Sequence, residues 1–131
     1  MSEFKPAIPT RAPVSQRGHF VPPASNPDAI GAKVRVNIDG MDIQVPIGTT
    51  ILEAARQLGI RIPTLCHHPD LCVAGVCRIC VVEVEGQRTL QASCAYPITA
   101  PITVKTHTAK VRQSRRAILD LMLSKHVGEC Y

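Results

Sequence analysis

Residues 33–60, KVRVNIDGMDIQVPIGTTILEAARQLGI, constrain the fold more than any other part of the chain. Val34, Val36 and Ile38 alternate with polar residues, Asp39-Gly40 is a two-residue turn signal, and Ile43 and Val45 resume the alternation. That pattern predicts a β-hairpin with one buried face. Thr50 with Glu53 three residues later is a capping-box pattern, Ile51, Leu52, Ala55 and Leu58 make an apolar stripe, and Gly59 is a stop signal. The order is strand, strand, helix. With no Trp, two Tyr and two Phe in 131 residues, burial falls to Val, Ile, Leu and Ala, which suits a small sheet covered by a helix.

Beyond Pro63 the chain enters a cysteine-rich loop. VVEVEGQRTLQASC then predicts a second hairpin around Glu85-Gly86, and Ile102 to His107 a late strand. The stretch from Thr108 predicts a C-terminal amphipathic helix with Val111, Ile118, Leu119, Met122 and Leu123 on one face. Lys110, Arg112, Arg115 and Arg116 fall on its polar side. The fold class is α+β.

Three segments follow from this reading: residues 1–32, 33–107 and 108–131. The first holds six of the eleven prolines without hydrophobic period, and is expected to be a flexible or partner-wrapping arm. The second is the folded domain, and the third is a helix leading to a junction with a following module. No apolar run approaches the roughly 20 residues of a membrane span, and no signal peptide is recognisable, so a cytoplasmic protein is expected. The net charge of +5 does not imply a nucleic-acid partner, because the chain lacks the aromatic platforms on which bases stack.

Cysteines stand at 66, 72, 77, 80, 94 and 130. Clustered thiols in a reducing compartment serve as metal ligands or catalysts more often than as disulfides. A redox Cys-x-x-Cys opens a helix, where the dipole lowers the thiol pKa, whereas Cys77-Arg78-Ile79-Cys80 leads into a strand. Structural zinc takes two short knuckles, and here one short pair stands with solitary cysteines. An iron-sulfur core is wider than one ion, so the backbone must wrap it closely. Ala74, Gly75 and Val76 before Cys77 permit that approach, with Gly75 free to take positive φ.

The segment IPTLCHHPDLCVAGVCRICVVEVEGQRTLQASCAYPI resembles the N-terminal 2Fe-2S ferredoxin domain of the complex I large peripheral subunit, iron-only hydrogenases and related NAD(P)-linked bifurcating oxidoreductases. The resemblance covers about residues 33 to 130. It implies a β-grasp fold, a mixed sheet packed on one helix, with a 2Fe-2S cluster held through a Cys-x10-Cys-x2-Cys-x13-Cys pattern that lands on Cys66, Cys77, Cys80 and Cys94. Counting the cluster's own charge would leave the protein at about +3. Cys72 also fits the plant-type Cys-x4-Cys-x2-Cys spacing and is a candidate swing ligand, although the gap to the last cysteine is short for that family. His67 and His68 suggest a Rieske site, but no second Cys-x-His unit accompanies them.

The resemblance implies one-electron transfer inside a larger NAD(P)H-, hydrogen- or formate-linked complex, with flavin and further iron-sulfur subunits as partners. No residue constellation indicates a catalytic site in this chain. The competing readings are a free-standing soluble ferredoxin and a structural zinc module. Near the C-terminus, His126 and Cys130 match the first two positions of a His-x3-Cys-x2-Cys-x5-Cys motif that binds a second, 4Fe-4S cluster in the complex I relatives. Two ligands do not hold a cubane, so the expectation is one cluster, on a chain that is part of a longer subunit or carries two remnant residues.

Overall fold

The computed structural model of the chain describes residues 32–126 and residue 128. The proline-rich segment and Cys130 therefore lie outside the described residues, except for Ala32, whose carbonyl accepts the Ile47 N–H at 3.1 Å.

Strands β1 (Lys33–Ile38) and β2 (Met41–Pro46) form the expected hairpin. Asp39 (φ 51°) and Gly40 (φ 89°) both adopt positive φ, the pairing that gives a two-residue turn the twist of its flanking strands. Asn37 supports the turn, accepting the Gly40 N–H at 3.1 Å and donating to Asp42 at 3.0 Å. Val34, Val36 and Ile38 face inward, as does Val45 of β2.

Helix α1 (Ile51–Gln57) begins at the capping box: the Glu53 N–H donates to Thr50 Oγ1, and the Thr50 N–H donates to the Glu53 carboxylate, both at 3.3 Å. It ends in a Schellman arrangement, with the Gly59 N–H on the Arg56 carbonyl and the Ile60 N–H on the Ala55 carbonyl. Gly59 supplies the required positive φ of 76°.

The remaining elements are β3 (Val81–Val84), β4 (Gln91–Ala92), β5 (Ile102–Lys105) and α2 (Ala109–Leu123). The five strands form one mixed sheet in the order β2-β1-β5-β3-β4, with β1 and β5 parallel and every other pair antiparallel. One hydrophobic cluster joins Val36 and Ile38 of β1, Val82 and Val84 of β3 and Val104 of β5 to Ile51, Leu52, Ala54 and Ala55 of α1. Each of the larger aliphatic side chains, fully buried, contributes about 1.5–3 kcal/mol relative to exposure.

Three expectations are revised. The second hairpin is short: β4 pairs only two residues with β3, and residues 85–90 form its loop. The last strand stops at Lys105 rather than His107, because the Thr106 N–H turns aside to Asp39 Oδ1 at 2.8 Å and the Thr106 hydroxyl bonds the same carboxylate. The apolar face of α2 is only partly covered. Val111 is buried and Ile118 half-buried, while Leu119, Met122 and Leu123 are exposed. Among the described residues no helix is long and apolar enough to cross a membrane.

Candidate metal centre

Sheet pairing brings two of the cysteines together. Val81 pairs with Ala92, and one step further along the ladder the Ser93 N–H donates to the Cys80 carbonyl at 3.2 Å. Cys80 and Cys94 thus leave adjacent strand ends with their sulfurs 3.3 Å apart, both buried. The Cys94 segment is also tied to α1, whose first N–H groups at Ile51 and Leu52 donate to the carbonyls of Tyr96 and Ser93. Helix and Cys94 segment share their otherwise unsatisfied backbone groups.

The loop after Pro63 supplies the other two. Cys66 and Cys77 are half-buried, and their side chains are hydrogen-bonded. The turn from Cys77 to Cys80 runs through Arg78 at φ 61°, a left-handed conformation that a non-glycine residue adopts only at a cost of about 1–2 kcal/mol. Gly75 has φ 62°, and a Cβ there would meet the Ala95 side chain at 3.4 Å, so the loop lies close over the residue that follows Cys94.

The thiols are electrostatically linked. Burial pushes Cys94 up to about 12, helped by its hydrogen bond with Cys80 and by the charges of Cys80, Cys66 and Cys77. Burial also raises Cys77, but N–H groups of Ile79, Cys66 and Leu65 and the Cys66 thiol outweigh it and bring that thiol below its ordinary value. Cys94 and Cys77 are thus shifted in opposite directions within one group of thiols. No group of three or more His, Cys, Asp or Glu among the described residues is arranged as a single-ion site.

The other candidates are more open to solvent. Cys72 is exposed on the loop, whereas Cys80 and Cys94 are buried. His68 is exposed and stabilises its own turn, accepting the Asp70 N–H at 3.2 Å. His126 lies exposed just beyond α2, its N–H on the Leu123 carbonyl at 3.0 Å.

One residue is corrected outright. Arg115, expected on the polar side of the C-terminal helix, is half-buried and donates through a terminal guanidinium nitrogen to the Val81 carbonyl at 2.8 Å. Burial lowers its pKa, and the Cys80 sulfur opposes that shift. The sequence carried a signal for this placement: Val111, Arg115 and Ile118 fall at i, i+4 and i+7, the spacing of one helix face.

Residues 31–109 match the family model for the 2Fe-2S iron-sulfur cluster binding domain. The chain belongs to this family. It is 48% identical to NADP-reducing hydrogenase subunit HndD of Solidesulfovibrio fructosivorans over 72% of its own length, and 41% identical to the NADH-ubiquinone oxidoreductase 75 kDa subunit of Reclinomonas americana over 74%. It spans only 17% of the first relative and 14% of the second. A crystal structure of NAD+-reducing NiFe hydrogenase in the H2-reduced state superimposes with a TM-score of 0.67 at 35% identity, covering 76% of this chain and 42% of that one.

The residues present fit the family's cofactor. Clustered thiols, two of them with sulfurs 3.3 Å apart, are the donor set that an iron-sulfur core takes once they give up their protons to the metal. Three buried polar atoms have no partner within the described structure: His67 Nδ1, Ser93 Oγ and Arg115 Nε. His67 adjoins Cys66, Ser93 adjoins Cys94, and Arg115 is bonded to the residue after Cys80.

Proposed function

We propose that this chain is a one-electron carrier, with Cys66, Cys77, Cys80 and Cys94 as the ligands of its 2Fe-2S cluster, acting as a module of a larger NAD(P)H-, hydrogen- or formate-linked oxidoreductase. When bound, the cluster accepts and releases single electrons; the protein's contribution is to hold, shield and electrostatically tune it. The observation that supports the ligand assignment is the 3.3 Å contact of the buried Cys80 and Cys94 sulfurs, with Cys66 and Cys77 half-buried on the adjoining loop. The hydrogenase and NADH-ubiquinone oxidoreductase relatives support the wider reading, in which flavin and further iron-sulfur modules act as donors and acceptors. A reducing compartment suits it, because clustered thiols there remain available to iron.

Anaerobic purification followed by iron, acid-labile sulfide and zinc analysis tests the reading. About two irons and two sulfides per chain, with a paramagnetic signal on one-electron reduction, are expected. Zinc without sulfide would overturn it.

A further inference from the structure

Arg115 is a charged side chain that α2 carries on its inward face, half-buried and hydrogen-bonded to another element. Its guanidinium is drawn under the sheet to the Val81 carbonyl, one residue from Cys80, at 2.8 Å. Its Nε is buried and has no partner among the described residues. Helix α2 holds it there: the Thr108 side chain caps the first turn by accepting the Val111 N–H at 3.2 Å, and Val111 is wholly buried one turn before Arg115. The neighbouring Lys110 fastens the same helix to the β3–β4 loop by donating to the Arg88 carbonyl at 3.0 Å. An arginine keeps its charge, and a cation in a partly dry setting acts on nearby charge far more strongly than one in water.

We propose that Arg115 is a positioning residue that sets the reduction potential of the centre, favouring the reduced state by placing a fixed positive charge beside the Cys80 end. This rests on the ligand reading above. Reduction adds one electron without breaking a bond and takes the centre, counted with its four thiolates, from −2 to −3. A fixed cation stabilises the second state more than the first. Arg112 and Arg116 are exposed on the same helix, where solvent and salt screen them, so they contribute little.

The test is a dithionite-poised potentiometric titration of the anaerobic holoprotein, followed by paramagnetic resonance, on wild type, Arg115→Gln, Arg115→Lys and Arg116→Gln. Gln can keep a donor for the Val81 carbonyl while removing the charge. The proposal expects Arg115→Gln to disfavour reduction about tenfold, a fall of about 59 mV for a one-electron couple. Arg115→Lys should stay within about threefold of wild type, or about 28 mV, and Arg116→Gln should match wild type. Each variant's iron and sulfide content and melting temperature are measured alongside. A purely structural anchor would lower the melting temperature of Arg115→Gln and leave its potential unchanged, which overturns the proposal. Equal shifts in Arg115→Gln and Arg116→Gln would show an effect of net charge only and overturn it as well. A fully loaded wild type with no Arg115 effect leaves the electron-carrier reading standing, whereas absence of sulfide in the wild type removes both.

Discussion

The hairpin, α1 and β5 contrast with the cysteine loop between Pro63 and Cys80. In the first region the chain satisfies itself: Val36, Ile38, Ile51 and Val104 are fully buried, and both ends of α1 are capped by neighbouring groups. In the loop Leu65, Leu71, Val73 and Val76 are exposed, a left-handed Arg78 is tolerated, and the sulfurs crowd one another. Aliphatic burial holds the first region. The loop has little core of its own, and metal binding is the kind of energy that orders such a segment.

The largest expected effect separates the two regions. Serine at Cys66, Cys77, Cys80 or Cys94 should abolish or severely destabilise the cluster while the far-ultraviolet circular dichroism of the sheet and α1 survives; Cys72→Ser should retain it. Retention in Cys66→Ser with loss in Cys72→Ser would move the centre to the plant-type spacing. Next in size, Ile38→Ala should cost about 2–5 kcal/mol through the cavity it leaves. Because that cavity is in the aliphatic core rather than the loop, denaturant unfolding should register the loss in apo- and holoprotein alike.

A pH titration of the apoprotein under reducing conditions probes the loop from another side. Cys94 has a folded value of about 12 against an ordinary 9.0, so its contribution is complete below pH 9 and is lost as pH rises towards 12. Cys77 lies below its ordinary value, so its contribution is complete above that value and shrinks at lower pH. The melting temperature should therefore fall above pH 9, and Cys94→Ala should flatten the fall. An unchanged slope in Cys94→Ala would show that this thiol is not the group responsible.

Smaller again is Gly75→Ala. Positive φ makes it unfavourable by about 1 kcal/mol, while the new Cβ only touches Ala95 at 3.4 Å, so cluster release on heating should come earlier with little change in apoprotein melting. At the low end, Leu71→Ser on the exposed rim should alter stability by no more than about 0.5 kcal/mol. A larger loss on unfolding would mean that the loop has a core of its own.

Much of the fold was legible because its signals are local. The Asp39-Gly40 turn, the Thr50–Glu53 box and the Gly59 stop each bond residues no more than five apart, and all three occur as their residue types require. The positive φ of Gly75 was legible in the same way. The spacing of Cys66, Cys77, Cys80 and Cys94 identified the resemblance, but spacing alone left Cys72 in competition, since a flexible loop can present either thiol.

Tertiary structure decided what depends on distant neighbours. The insertion of β5 between β1 and β3 is not written in any one segment, because burial of the whole sheet face selects the strand order. Asp39 accepts from Thr106 across 67 positions, which ends β5 early, and Cys80 meets Cys94 only because β3 and β4 pair at their tips. Arg115 shows the contrast most clearly. Helical periodicity places it on the Val111 face, yet an arginine on such a face ordinarily extends to solvent. It turns inward here because packing α2 on β3 brings the Val81 carbonyl within reach, and local sequence does not specify where an acceptor from another element will stand.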